Sequence, residues 1–330
     1  KRQPQVLAAI ELPSRESPWR AAAQTLPPSA PPAATMLGTV GSSDSPLAEV
    51  TATRIADGRT LVAWTSDVQE PMGRRSRNKP QEEATLAFRF VTAEGMAGRA
   101  HVLSKRAISV GGVACAPAVP EGQGESTAAA VLAWAAPANG YPQVFVTKIG
   151  KDGSKLVQRA ITRAQRNRPA KPGLPNRVSD VAIASDGRSG YLVAWVDTRD
   201  GNAEIYAARL DARLQRKGSE QRITRAAGGS TEVRIAVGAK LSRLVWSDAR
   251  ERAERGIADI YTTVLDTRTA KKVGAERRLA RTESHSRTPG IAATPTGAVA
   301  WWIEQPTAVV DGAGSGLRVL RLDRQGEPLG

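Results

Sequence analysis

An apolar run closed by tryptophan recurs five times along this chain, and no other feature restricts its fold as much. The copies are Leu61-Val62-Ala63-Trp64, Val131-Leu132-Ala133-Trp134, Leu192-Val193-Ala194-Trp195, Arg243-Leu244-Val245-Trp246 and Ala298-Val299-Ala300-Trp301, spaced by 70, 61, 51 and 55 residues. A repeat of this length is one supersecondary unit that can bury its apolar face only against the next copy, so the repeat dictates the architecture. The third copy shows the unit most fully. Short β-prone runs holding Ile183, Val193, Ile205 and Tyr206 are separated by turn pairs such as Asp186-Gly187 and Asp200-Gly201, at hairpin spacing. Four antiparallel strands per unit follow.

The pattern predicts an all-β chain: a β-propeller of about five four-stranded blades across residues 47–330. In the fifth unit Leu317–Gly326 takes the third-strand place and no fourth strand follows before Gly330. A ring closed with a strand missing would expose a sheet edge. Gln5-Val6-Leu7-Ala8-Ala9-Ile10 is the one β-capable run ahead of a proline-rich stretch, and it is expected to close the last blade as its outer strand. Residues 1–46 divide off as this strand plus a strap or linker carrying Pro13, Pro18, Pro27, Pro28, Pro31, Pro32 and Pro46.

The third and fourth units share W-x-D-x-R followed by I-Y. The residues are Trp195, Asp197, Arg199, Ile205 and Tyr206, then Trp246, Asp248, Arg250, Ile260 and Tyr261. The phrase resembles the blades of bacterial extracytoplasmic β-propeller repeat proteins, which are distantly sialidase-like. The first unit carries Trp64 and Asp67 out of register, and the second has Ala135-Ala136-Pro137 instead. The resemblance implies the fold and an exported location, whether periplasmic, outer-surface or secreted, and leaves the activity open.

Residues that recur in every blade read as packing rather than chemistry. The tryptophans are expected in the core, and Asp197 and Asp248 are expected to accept hairpin N–H groups and pair with Arg199 and Arg250. Asp197, Asp200, Asn202 and Glu204 offer hard oxygens within one loop, but not at the spacing of a calcium loop. One cysteine excludes an internal disulfide, and two histidines cannot build a zinc cluster. No metal or cofactor is expected. Sialidase chemistry lacks its aspartate box. Neither His101 nor His285 accompanies a G-x-S-x-G elbow. His285 reads as a histidine in a polar connector, and Cys115 as a buried, inert thiol in an apolar first strand. No stretch approaches the roughly 18 apolar residues of a membrane span.

With 47 Lys and Arg against 32 Asp and Glu, the formal charge is +15, which favours acidic partners. In a four-stranded blade the second-to-third-strand loop and the link to the next blade leave on one face. That face collects Arg74, Arg75, Arg77, Lys79, Arg163, Arg166, Arg168, Lys171, Arg250, Arg252 and Arg255. The expectation is therefore a non-enzymatic extracytoplasmic scaffold docking an acidic protein or anionic polymer through these loops, foremost a protein in a larger assembly. The alternative is a glycan-active hydrolase or lyase, which requires a deep central pocket with at least two carboxylates of perturbed pKa. Nucleic-acid binding comes third, because the basic loops lack interleaved aromatics.

Overall fold

A computed structural model describes residues 8–11, 47–67, 83–108, 112–121, 127–138, 141–162, 178–280, 282–306 and 315–329. Apart from one 3-10 turn at Ala253–Arg255, the elements among them are strands, and these form five antiparallel sheets. Blade 1 comprises Leu47–Arg54, Thr60–Asp67, Glu83–Val91 and His101–Ile108, and blade 2 Val113–Pro117, Ala128–Ala138, Tyr141–Gly150 and Lys155–Ala160. Blade 3 comprises Val178–Ser185, Gly190–Asp197, Glu204–Asp211 and Arg216–Arg222, and blade 4 Ser230–Ala236, Leu241–Asp248, Asp259–Asp266 and Arg277–Ala280. Blade 5 supplies His285–Thr294, Gly297–Gln305 and Gly316–Leu322. In each blade the strands pair in chain order from inner to outer.

The outer edge of blade 5 is completed by both ends of the described chain. Ala8–Glu11 pairs antiparallel with Gly316–Val319, and Pro328–Leu329 pairs with Arg321 and Leu322 further along the same edge. The closure expected from the N-terminus is therefore present at Ala8–Glu11. Residues 5–7 and the proline-rich strap lie outside the described residues.

Four clusters of buried hydrophobic residues join blades 1 and 2, 2 and 3, 3 and 4, and 4 and 5. Side chains alternate across each sheet, so successive residues of a strand face opposite neighbours. Trp134, Trp195, Trp246 and Trp302 all face the preceding blade and fill the space between the sheets. This corrects the fifth anchor. Gly290 pairs with Trp301 as Arg234 pairs with Val245, so the counterpart of Trp246 is Trp302. Trp302 is 1% exposed, whereas Trp301, one residue earlier, points the other way and stays 37% exposed.

The shared W-x-D-x-R phrase is a cross-strand clamp. In blade 4 the Trp246 indole N–H donates to Asp248 Oδ2 at 2.8 Å, and Asp248 Oδ1 accepts the Arg250 backbone N–H at 3.0 Å. The Arg250 guanidinium donates to Asp248, lies 4.4 Å over the Tyr261 ring and reaches Glu276 beside the outer strand. Blade 3 repeats this with Trp195, Asp197, Arg199, Tyr206 and Glu220. The expected capping and pairing of Asp197 and Asp248 are both present. A buried carboxylate with an indole, an amide and a guanidinium has its lone pairs satisfied, which is what makes its burial tolerable.

Candidate functional site

The five inner strands surround a cavity of ≈ 390 Å³ on the ring axis, lined by residues 49–51, 113–115, 181–183, 234–235 and 288–291 together with Trp301. A central cavity of this size falls within the range of small-molecule sites.

Four of the inner strands carry a pairing irregularity near their starts, at Leu47/Glu49, Ser179/Ala182, Thr231/Arg234 and Arg287/Gly290. At three of these bulges a non-glycine residue takes positive φ: Asp180 at 48°, Glu232 at 56° and Thr288 at 55°. Such conformations cost roughly 1 kcal/mol or more each and recur where a side chain must be re-aimed. In the aligned blades this position is Glu49, Gly112, Asp180, Glu232 and Thr288, so three blades place a carboxyl there.

Each carboxyl reaches the next blade's backbone. Glu49 accepts the N–H groups of Gly112 and Val113, Asp180 accepts that of Glu232, and Glu232 Oε2 accepts that of Thr288 at 2.8 Å. Glu232 Oε2 also accepts from Ser247 Oγ at 2.7 Å, and Arg287 donates to Oε1 at 3.2 Å. Glu49 forms part of the cavity lining, whereas Asp180 and Glu232 are not among the lining residues; Asp180 directly precedes the lining residue Val181, and Glu232 lies two residues before Arg234.

Burial pushes the Glu49 carboxyl up to about 7; the Asp180 charge adds to this, and Arg234 and the two amides oppose it without cancelling it. Its Oε2 is buried and has no hydrogen-bond partner among the described residues. Burial also raises Asp180, with the neighbouring Glu232 charge adding, against the Glu232 amide and Arg234. Arg234 acts on both carboxyls, favouring their charged forms against the effect of burial. Cys115 lines the same cavity, donating to or accepting from Thr51 Oγ1 at 3.4 Å. Burial lifts its thiol to about 11, which disfavours the thiolate, and the residue is half-buried at the cavity wall rather than fully buried.

The starts of the inner strands lie beside the ends of the second strands, as in Val178 with Asp197 and Ser230 with Asp248. The carboxyls thus open toward the face to which the sequence assigned the basic loops. Of those loop residues, Arg250 is held by Asp248 and Glu276, Arg252 is buried against Asp259 at 2.9 Å, and Arg255 is exposed on the 3-10 turn. Arg74, Arg75, Arg77, Lys79, Arg163, Arg166, Arg168 and Lys171 lie outside the described residues. The oxygens of Asp197, Asp200 and Glu204 accept from Arg199 and Arg222. His285 is not in a connector but begins the inner strand of blade 5, where its Nδ1 accepts the Ala258 N–H at 2.8 Å.

No protein-family model and no curated protein matches the chain. Solved structures do. The GH93 alpha-L-arabinofuranosidase of Fusarium graminearum, solved with arabinobiose, is 11% identical over 85% of this chain and 95% of that one, with a TM-score of 0.50. An endo-arabinase from Bacteroides thetaiotaomicron is 11% identical over 83% and 93%, with a TM-score of 0.41. A levansucrase mutant from B. megaterium is 9% identical over 84% and 83%, with a TM-score of 0.45. The chain is a five-bladed β-propeller. Likeness at this identity establishes the fold and no more.

The non-enzymatic scaffold expected from the sequence is corrected here. The Fusarium structure matched at a TM-score of 0.50 is an alpha-L-arabinofuranosidase, and the ring centre holds a cavity lined by one raised carboxyl, Glu49, with a second, Asp180, next to lining residue Val181. The expectation went astray by treating every recurring residue as packing. The missed signal is an acid followed by valine at one step of the first strand, in Glu49-Val50, Asp180-Val181 and Glu232-Val233.

Proposed function

We propose that this chain is a glycan-active enzyme that hydrolyses a glycosidic bond at the ring centre. The observation that carries the reading is Glu49, a cavity-lining carboxyl that titrates near neutrality beside Asp180 and Arg234. A carboxylic acid kept protonated near pH 7 is matched to general-acid work. Glu49 donates its proton to the glycosidic oxygen as the bond to the anomeric carbon breaks. Water adds to that carbon and releases its proton to the second carboxyl, assigned here to Glu232. Ser247, the Thr288 amide and Arg287 fix the orientation of Glu232. Asp180 is assigned a positioning role, its charge helping to hold the proton on Glu49.

An extracytoplasmic location suits an enzyme that acts on polymeric glycan, and among the described residues no helix is long and apolar enough to cross a membrane. The arabinobiose of the Fusarium complex makes arabinose oligomers the first probe. The test is release of reducing ends from a panel of arabinans, fructans and mannans by the wild type and by Glu49→Gln. Cleavage of at least one polymer, falling at least about 100-fold in the variant, is expected. No cleavage of any polymer, or equal cleavage by the variant, overturns the reading.

A further inference from the structure

The cavity is divided in character. Glu49, Thr51, Cys115 and Arg234 supply polar groups, while Val50, Ile291 and Trp301 make an apolar wall. Trp301 has no counterpart in the aligned blades, where Ala194 and Val245 stand at its place. Its indole lies directly on the backbone of Gly290: a methyl group there would come within 2.1 Å of Trp301 Cε2 and 2.4 Å of Nε1. In blades 3 and 4 the corresponding inner-strand residues are Ala182 and Arg234. Blade 5 has therefore removed a side chain at one position and placed a large flat ring over the gap, leaving the ring 37% exposed in the cavity. Packing gives no reason for this, because the inter-blade core of blade 5 is already filled by Trp302.

The charges in the cavity point the same way. Among the described residues Arg234 is the one cation in the lining, and its charge acts on Glu49 and Asp180. Next to the lining residue Thr288, Arg287 is engaged by Glu232 at 3.2 Å. Among the described residues, the cations at the cavity and next to it, Arg234 and Arg287, already face acids, and burying a further carboxylate without a free cation is costly.

We propose that Trp301, seated on Gly290, is the stacking wall of a subsite for a neutral sugar ring, which lays its C–H face on the indole and turns its hydroxyls toward Glu49 and Arg234. The inference rests on the glycan-active reading and narrows it: the substrate is an uncharged glycan, although the protein carries a formal charge of +15. Trp301 acts as a specificity-determining residue. Gly290 is the positioning residue that lets it lie flat.

The experiment is calorimetric and fluorescence titration of the full chain with arabinobiose, arabinotriose and trigalacturonic acid, using the wild type, Trp301→Ala, Trp301→Phe and Gly290→Ala. A neutral oligomer is expected to bind and change the indole emission of the wild type. Its affinity should fall about tenfold or more in Trp301→Ala and in Gly290→Ala, with partial recovery in Trp301→Phe. Trigalacturonic acid should bind at least about tenfold more weakly than the neutral trimer. Unchanged neutral binding in Trp301→Ala, or uronate binding as tight as neutral binding, overturns the inference and leaves the glycan-active reading standing. If neither kind of oligomer binds and the polymer panel is uncleaved, the glycan-active reading falls and takes the inference with it. Unfolding curves of Trp301→Ala keep the two failures apart, since a half-exposed ring can be removed without loss of the fold.

Discussion

Replacing Glu49 by glutamine should make the protein more stable, and only at higher pH. In the native state burial lifts this carboxyl from an ordinary 4.5 to about 7. An acid whose native pKa is raised binds its proton more readily folded than unfolded. Below about 4.5 both states are protonated and nothing is lost; between 4.5 and 7 native stability declines, and above 7 the full cost of the buried charge is present. Each pKa unit is about 1.4 kcal/mol, which sets a ceiling of about 3 kcal/mol for the whole excursion. Glutamine keeps an oxygen for the Gly112 and Val113 amides but has no charge to desolvate. Urea unfolding of wild type and Glu49→Gln at pH 5, 6, 7 and 8 should show a stability difference that grows in the variant's favour by about 2 to 3 kcal/mol from pH 5 to 8. The carboxyls common to both proteins, Asp180 among them, contribute to both curves and cancel to first order. A difference that stays constant across that range would refute the claim that Glu49 is held protonated by burial.

Other outcomes follow from the same geometry. Trp246→Ala should cost about 3 to 5 kcal/mol in urea unfolding, because it empties the space between blades 3 and 4. Trp301→Ala should cost under about 1 kcal/mol by the same measurement, since its ring fills no core space. For Asp248, burial works against ionisation, but hydrogen bonds from Arg250 and Trp246 outweigh it and hold the carboxyl below its usual value. Asp248→Asn should therefore lose about 3 kcal/mol at pH 7, and the deficit should shrink as pH falls below about 4, where the wild-type contribution is itself lost. Deleting residues 1–11 should lower the melting temperature and produce concentration-dependent association, because the edge at Gly316–Val319 loses its partner. Cys115 should react with a disulfide reagent at pH 8 about 100-fold more slowly in the native protein than in urea, given a thiol lifted from 9.0 to about 11.

The blade count, the strand order and the N-terminal closure were legible because each rests on periodicity and turn chemistry, which local sequence carries. The fifth anchor was misplaced by one residue because Trp301-Trp302 offers two candidates, and only the pairing of Gly290 with Trp301 shows which faces the core. The site was legible in principle. Glu49, Asp180 and Glu232 occupy one step of the repeat, but an acid beside a valine in a strand resembles ordinary polar alternation. The raised carboxyls arise from the convergence of five inner strands on one axis, a non-local property that no window of sequence contains. The expected basic loops drew attention because charge is visible in composition. In the fold, Arg250 and Arg252 are consumed by acids of their own blade.

The measurement that bears most directly on the central claim is the dependence of Glu49→Gln on the leaving group. A general acid matters when the departing oxygen needs a proton and becomes dispensable when it does not. On a natural arabinose-linked oligomer the variant should lose at least about 100-fold in kcat/KM, while on the matching 2,4-dinitrophenyl glycoside it should come within about tenfold of wild type. Equal losses on both substrates would show that Glu49 shapes the cavity without supplying the proton, and would contradict the account.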